Sequence, residues 1–242
     1  NNIPLLVLDR PNPLGFYTDG PVLEPEYRSF LGMHPIPVVY GLTIGELAHM
    51  INGEGWMKNQ VQCRLQVIQC QNYTHDSLYN LPLNPSPNLR SMESVYLYPT
   101  VGLFIGTEMS IGHGTGFPYL TIGHPRFSDQ TFSFVPHPDL GAKDPKYNGQ
   151  VCYGIDLRSH FRDSARGMKK IDIGLIQKVY RQMNRSEDFF NNSFNYHAGN
   201  SILKEQIIKG LPAEEIRKLW EPDLIRYRML RKKYLLYPDF EK

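Results

Sequence analysis

The sequence has few cysteines, no long hydrophobic run and almost no excess of charge. Its three cysteines leave at least one thiol unpaired, and no two of them have the spacing of a thiolate zinc site. No segment approaches the ~18 consecutive apolar residues that cross a bilayer. The 26 Lys and Arg residues balance 24 Asp and Glu residues to a net charge of +2, far from the basic field that nucleic acid requires. We therefore expect no membrane span in this chain and no nucleic-acid partner.

Metal and cofactor motifs are also missing. The eight histidines are scattered, without the close pairs that a helix uses to bind zinc. The glycine-rich stretch Gly112-His113-Gly114-Thr115 lacks the Lys and Ser/Thr of a phosphate-binding loop and does not match the dinucleotide fingerprint. It indicates either a concave polar site lined by backbone N–H groups and His113, or a tight turn that requires glycine. We expect no metal and no cofactor.

Turn residues and tyrosine are abundant instead. The chain has 19 Pro, 20 Gly and 15 Tyr among 242 residues. So many turn residues indicate a loop-rich surface on which a site can be built. The tyrosines suit stacking against sugar rings, but composition alone favours ordinary packing in the core and at its rim.

The N-terminal part reads as a strand, a long loop and a helix. Residues 3–8 predict a fully buried strand of a parallel sheet, and because the chain opens with Asn1 rather than Met, we expect residues upstream to be missing or cleaved. Residues 9–42 are rich in Pro and Gly, which is typical of a functional loop beyond a strand end. Thr43 and Glu46 fit a capping box for a helix that ends at Asn52-Gly53.

The remainder predicts further strands followed by helices. Strands are expected over 61–70, 95–104, 131–134 and 151–157. Helices are expected from Asp172 to about Met183, over 201–208, from Pro212, and again from Pro222 through Tyr234. The basic side chains of the last helix indicate either an anionic partner or a solvated face near a helix C-terminus. This order predicts an α/β chain that is α+β overall.

A series of short motifs follows one another in order along nearly the whole chain. The motifs are Leu8-Asp9-Arg10-Pro11-Asn12-Pro13, Asp19-Gly20-Pro21, Gly32-Met33-His34-Pro35-Ile36-Pro37, Gly41-Leu42-Thr43-Ile44-Gly45-Glu46, Pro85-Ser86-Pro87-Asn88, Leu97-Tyr98-Pro99, Gly112-His113-Gly114-Thr115 and Tyr234-Leu235-Leu236-Tyr237-Pro238. In this order they resemble one known family, the NamZ-type exo-β-N-acetylmuramidases.

The resemblance implies a fold, an activity and a location. Family members have an N-terminal Rossmann-like α/β domain and a C-terminal auxiliary domain, with the site in the cleft between them. On this basis residues 1–58 are the end of the first domain and residues 59–242 are a mixed α+β auxiliary domain. Members are exported and release N-acetylmuramic acid from the non-reducing ends of peptidoglycan fragments.

This chain departs from the family at several site motifs. The family's Pro-Glu-His-Gly motif, whose glutamate is the favoured catalytic acid, lies upstream of residue 1, so this fragment alone is expected to be inactive. The family's Glu-Gly-Thr is Ile105-Gly106-Thr107, and its Gly-Arg-Gly-Thr contains His113. Its His-Gly-Met-Thr begins with Tyr40, and its Val-Glu-Gly-Pro contains Asp19. These changes leave open a paralogue that binds muropeptides or related sugars without hydrolysing them.

Roles for individual residues follow from the resemblance and from carbohydrate chemistry. Arg10 is the candidate partner of the lactyl carboxylate of muramic acid, because Arg binds a carboxylate bidentately, and His113 would be a weaker, pH-dependent partner. Asp19 is the candidate second carboxylate, which would activate water or stabilise the transition state. A structural turn at the strand end is the alternative for Arg10 and Asn12. The expected substrate-binding residues are Arg10, Asn12, Tyr40, Asn88, Glu108, His113 and Thr115.

Overall fold

The computed structural model describes residues 3–161 and 169–241. Its strands are β1 Leu5–Leu8, β2 Asp19–Val22, β3 Pro37–Val39, β4 Leu65–Ile68, β5 Thr121–His124, β6 Ser133–Phe134 and β7 Cys152–Asp156. Its α-helices are α1 Ile44–Gly53, α2 Met92–Val101, α3 Ile173–Gln182, α4 Phe194–Ala198, α5 Ile202–Lys209 and α6 Ala213–Arg231. Short 3₁₀ turns connect several of these elements.

The N-terminal unit is a parallel pair of strands with a helix against it. β1 pairs with β4, and α1, which lies between them in the chain, contacts both. The predicted capping box is confirmed, since the Glu46 N–H donates to Thr43 Oγ1 and the Thr43 N–H donates to Glu46 Oε2. β4 lies beyond the boundary predicted after residue 58 yet pairs with β1, so this sheet crosses that boundary. The division of the chain at residue 58 stays a prediction.

The burial predicted for β1 is wrong. Leu5, Leu6 and Leu8 are 49%, 56% and 69% exposed. Within the described residues β4 is the only strand that pairs with β1, and α1 covers only part of the pair. The apolar run therefore predicts the strand correctly but predicts its burial wrongly.

The remaining strands form two antiparallel sheets. β2 pairs with β3 through an irregular register and packs against α6. In the second sheet β7 lies between β5 and β6, and Gly154 of β7 faces Gly123 of β5. Gly154 is required there, because an added Cβ would overlap the Ile122 carbonyl oxygen.

The strand predicted over residues 95–104 is a helix. α2 begins after Ser91, whose hydroxyl accepts a hydrogen bond from the Ser94 N–H, and a 3₁₀ turn over Gly102–Gly106 follows it. Residues 94–97 and 99–101 are all buried. Only Glu93 and Tyr98 of α2 are exposed, so the helix has no continuous polar face. Its sequence therefore lacks the 3.6-residue period that identifies a helix.

The helices predicted in the C-terminal third are present, but the break at Pro222 is not. α3 is capped by Asp172, and α5 ends at Gly210, which adopts a φ of 73°. α6 runs without interruption through Pro222, whose neighbours Trp220 and Leu224 are 7% and 1% exposed. Packing on both sides of the proline stabilises the helix against its one lost backbone hydrogen bond.

One large apolar core joins most of these elements. It includes Phe104, Phe189 and Phe194, which are fully buried between the turn after α2 and α4. The mixed α+β class is confirmed, whereas the Rossmann-like character of the N-terminal unit stays a prediction. None of the described helices has the length and hydropathy to cross a membrane.

Candidate functional site

A groove opens between the loop that precedes β3, the end of α2 and α4. Its volume is about 410 Å³, within the range of roughly 300–1,000 Å³ that small-molecule sites occupy. The residues that line it are Pro21, Leu23, Phe30, Leu31, Gly32, Met33, His34, Ile36, Pro37, Val38, Tyr40, Tyr98, Pro99, Gly102, Leu103, Tyr196, His197, Ala198 and Gly199.

The groove is aromatic and uncharged. None of the described side chains that line it belongs to Asp, Glu, Lys or Arg. Burial lowers the pKa of both His34 and His197, so both imidazoles are neutral at neutral pH. His34 also stacks on Trp56, with ring centroids 5.5 Å apart. Tyr98 and Tyr196 present partly exposed rings and hydroxyls, which suit a ligand with apolar faces and polar edges.

Three of the predicted residues, Asn88, His113 and Thr115, lie in a polar loop cluster, and none of them lines the groove. The Asn88 side-chain amide donates to the Gly141 carbonyl at 2.7 Å, and Arg90 donates to the Thr115 carbonyl at 3.3 Å and to Asp139 at 2.5 Å. Burial lowers the pKa of His113, which outweighs the opposite effect of Asp139. Asn88 Oδ1 and His113 Nε2 are buried without a partner among the described residues.

Aromatic contacts connect this loop cluster to the groove. Tyr98, at the groove wall, lies with its ring centroid 5.2 Å from that of Tyr119. The Tyr119 ring in turn lies 5.2 Å from the His113 ring. A change at His113 can therefore reach the groove through packed rings.

Glu108 is held in place by its surroundings. Its Oε2 accepts a hydrogen bond from Arg126 at 2.8 Å and lies 3.5 Å from His124 Nε2. The Arg126 N–H donates to His124 Nδ1 at 2.9 Å, so Nε2 carries the proton in the neutral ring. Burial lowers the pKa of His124 and raises that of the Tyr147 hydroxyl, which donates to the Glu108 carbonyl, to about 12. Glu108 Oε1 is buried and has no hydrogen-bond partner in the described part of the chain.

Asp19, the predicted catalytic carboxylate, lies behind the groove. It is on the same strand as Pro21, which lines the groove, but it is only 1% exposed. Its Oδ2 accepts from the Ile171 N–H at 2.6 Å, and its Oδ1 accepts from Arg217 at 2.7 Å. Both carboxylate oxygens have protein partners, and this geometry favours a structural role.

Arg10 and Asn12 both follow β1, but only Arg10 has a side chain without hydrogen-bond partners among the described residues. Arg10 is exposed, and no described residue accepts a hydrogen bond from its guanidinium. The Asn12 amide instead donates to the Leu42 carbonyl at 2.8 Å, while its oxygen accepts from the Leu14 N–H at 2.8 Å. Arg10 is thus free to bind an anion, and Asn12 shapes the turn.

The structure therefore separates the predicted residues. Tyr40 lines the groove, Asn88, His113 and Thr115 lie in the loop cluster, and Glu108 lies beside Arg126 and His124. Arg10 and Asn12 follow β1, and Asp19 is buried behind the groove. Sequence reasoning did not assign a site role to Tyr98, Tyr196 and His34, which line the groove. Their signals were the surplus of tyrosine and, for Tyr98 and His34, the motifs Leu97-Tyr98-Pro99 and Gly32-Met33-His34-Pro35-Ile36-Pro37. Among residues 3–161 and 169–241, no group of three or more His, Cys, Asp or Glu side chains could hold a metal ion.

Comparison with known families gives two matches along the chain. The family described as "Exo-beta-N-acetylmuramidase NamZ, N-terminal" matches residues 1–93. The family described as "Exo-beta-N-acetylmuramidase NamZ, C-terminal" matches residues 96–237. The two matches meet at α2, later in the chain than the boundary predicted after residue 58.

Individual relatives agree with these matches. The chain is 34% identical to the peptidoglycan β-N-acetylmuramidase NamZ of Bacillus subtilis (strain 168), over 98% of this chain and 60% of that protein. It therefore spans less than two thirds of the length of this relative. Crystal structures of two DUF1343 family proteins from Bacteroides fragilis NCTC 9343 are also similar. They match with TM-scores of 0.93 and 0.76 at 41% and 25% identity, each over 98% of this chain and 67% of that one. By these matches, the chain belongs to the NamZ exo-β-N-acetylmuramidase family.

Proposed function

We propose that this chain is part of a glycoside hydrolase that releases N-acetylmuramic acid from the non-reducing ends of peptidoglycan fragments. The observation that carries the proposal is the 34% identity to a peptidoglycan β-N-acetylmuramidase over 98% of the chain. The groove adds a physical argument, because its rings and hydroxyls fit the apolar faces and polar edges of a pyranose.

Within this proposal, Arg10 recognises the lactyl carboxylate that distinguishes muramic acid from glucosamine. Its guanidinium is exposed and free of partners among the described residues, and Arg binds carboxylates through two parallel hydrogen bonds. The neutral groove then receives the uncharged part of the sugar.

The catalytic acid is proposed to lie upstream of residue 1. None of the described side chains that line the groove carries a carboxylate, and both oxygens of Asp19 are engaged by Ile171 and Arg217. Hydrolysis of a glycoside usually needs two carboxyl groups on either side of the bond. The same observation favours a second candidate function, in which the protein binds cell-wall sugars without cleaving them.

Turnover of a chromogenic N-acetylmuramide by the complete protein tests the two functions against each other. The hydrolase predicts release of the chromophore, and Arg10→Ala is expected to reduce it mainly through weaker substrate binding. Binding of N-acetylmuramic acid without turnover would replace the hydrolase with the binding protein. Absence of both binding and turnover would overturn both functions.

We also propose that the protein acts outside the cytoplasm, as the resemblance to the exported members of the family implies. Fractionation of the native cells tests this: the protein is expected with the extracytoplasmic fraction. Recovery with the cytoplasmic fraction alone would contradict it.

A further inference from the structure

The C-terminal segment over residues 235–241 folds back onto the N-terminal unit. The Leu236 N–H donates to Glu46 Oε1 at 2.9 Å, and the His75 N–H donates to the Pro238 carbonyl at 2.9 Å. Tyr237, between them, is 7% exposed and lies at the ends of β1 and β4. The motif Tyr234-Leu235-Leu236-Tyr237-Pro238 thus belongs to the edge of the sheet from which Arg10 projects.

Asp9 is the group that Tyr237 contacts at this edge. The Tyr237 hydroxyl donates to Asp9 Oδ2 at 2.6 Å, and the Thr43 hydroxyl donates to the same oxygen at 2.7 Å. Asp9 Oδ1 accepts from the backbone N–H groups of Gly45 at 2.8 Å and of Arg10 at 2.9 Å. Four donors satisfy this carboxylate, so its partners are within the protein and one of them is the backbone of Arg10 itself.

Tyr237 also joins the two strands. Besides donating to Asp9, its hydroxyl accepts from the Cys70 N–H at 2.9 Å. Asp9 follows β1 and Cys70 follows β4, so a single buried hydroxyl connects the carboxyl ends of both strands. Hydrogen bonds to an ionised acceptor are roughly twice as strong as neutral ones. The contact therefore fixes the direction in which the chain leaves β1.

The segment has a second attachment that does not involve this hydroxyl. Arg231 is fully buried, donates to both oxygens of Asp239 at 2.9 and 2.8 Å, and donates to the Gly41 carbonyl at 2.9 Å. The Arg231 guanidinium also lies 4.6 Å from the centre of the Phe240 ring. Removal of the Tyr237 hydroxyl alone therefore leaves the segment docked.

We propose that Tyr237 is a positioning residue for carboxylate recognition: through Asp9 it holds the backbone at Arg10 and so aims the guanidinium at the lactyl group of the substrate. This inference rests on the proposed function, in which Arg10 binds that group. Tyr237 does not touch the sugar, and its effect is specific to the charged part of the ligand.

The test compares Tyr237→Phe with a matched change in the same segment. Tyr234 also donates its hydroxyl to a carboxylate, Glu54 Oε1 at 2.6 Å, but that carboxylate has no contact with Arg10. Tyr234→Phe therefore removes the same kind of bond elsewhere. For the wild type, both Phe variants and Arg10→Ala of the complete protein, NMR titration gives the dissociation constants for N-acetylmuramic acid and N-acetylglucosamine. Their ratio reports on recognition of the lactyl carboxylate and is insensitive to a general loss of stability.

The expected result is that Tyr237→Phe reduces the preference for N-acetylmuramic acid by about threefold to tenfold, the effect of one hydrogen bond. Tyr234→Phe should leave the ratio unchanged, and Arg10→Ala should reduce it further than Tyr237→Phe. If Arg10→Ala lowers the ratio while Tyr237→Phe does not, the positioning role is wrong and the proposed function stands. A wild-type protein that binds neither sugar, or shows no preference that Arg10→Ala alters, would overturn the proposed role of Arg10 and this inference with it.

Discussion

Replacement of Asp19 by Asn distinguishes a structural carboxylate from a catalytic one. The side chain is 1% exposed and accepts hydrogen bonds from the Ile171 N–H and from Arg217. Asn keeps the shape but loses the charge, and its NH₂ group then faces a donor. The substitution therefore leaves Arg217 without its anion and one buried donor without an acceptor.

The size of the effect follows from the exposure of the two partners. Breaking a buried ion pair from one side costs about 3–5 kcal/mol. The Arg217 side chain retains 21% of its exposure, so water screens part of this loss. We expect a decrease in the free energy of unfolding of about 2–3 kcal/mol, which corresponds to roughly 4–12 °C in Tm for a chain of this size.

Thermal or urea unfolding of Asp19→Asn, Arg217→Met and the double variant measures this directly. If the two residues act as a pair, the double variant loses less stability than the sum of the single ones, with a coupling of about 1–3 kcal/mol. In the complete protein, any loss of sugar release should follow the loss of folded protein in both single variants. An Asp19→Asn protein that is as stable as the wild type yet inactive would refute this reasoning and restore the catalytic role.

Three further predictions concern the fold and its response to pH. Gly154→Ala should weaken the pairing of β5 with β7, because the added Cβ overlaps the Ile122 carbonyl oxygen, and circular dichroism melting should show a loss of about 1–3 kcal/mol; an unchanged Tm would contradict the close approach. Arg231→Met should cost about 2–4 kcal/mol by leaving Asp239 without its partner, and faster proteolysis at the C-terminus should report it. Lowering the pH from about 7 to about 5 should lower Tm. Burial lowers the pKa of four histidines in the folded state below the ordinary value of 6.5, so the unfolded state binds more protons in this pH range and is stabilised by them. A higher Tm at the lower pH would contradict this. The four residues are His34, His113, His124 and His197.

Local chemistry made part of the fold predictable. The capping box of Thr43 and Glu46 and the cap at Asp172 each marked the first turn of a helix within a residue. These signals depend on neighbours three positions apart, so a single sequence contains them. The strand β7 was predictable from another local signal, a short apolar run between turn residues.

Tertiary contacts decided what the sequence could not show. Most of α2 is buried in the core, so the helix lacks the continuous polar face that would have identified it. Arg231 belongs to the predicted basic face of the last helix, but it is fully buried against Asp239, a residue that follows the helix. The sequence alone does not show whether a charged side chain is buried against a partner or exposed to water.

The candidate site shows the same division. Arg10 and His113 were predicted because their residue types suit a carboxylate, and their role stays a prediction. The structure leaves the Arg10 guanidinium exposed. Asp19 was chosen by the same reasoning, but its partners Ile171 and Arg217 are more than 150 residues away in the chain. The groove itself is assembled from three separate segments, and no local pattern reveals that they meet.

The most direct test of the account is to map the binding of N-acetylmuramic acid on the isotopically labelled protein by NMR. We predict that the resonances that shift on titration belong to Arg10 and to the groove, with Tyr40, Tyr98 and Tyr196 prominent among them. Resonances around Asp19 should stay in place at the same sugar concentrations. Shifts confined to other surfaces, or none at saturating sugar, would contradict the claim that this chain supplies the recognition of the sugar.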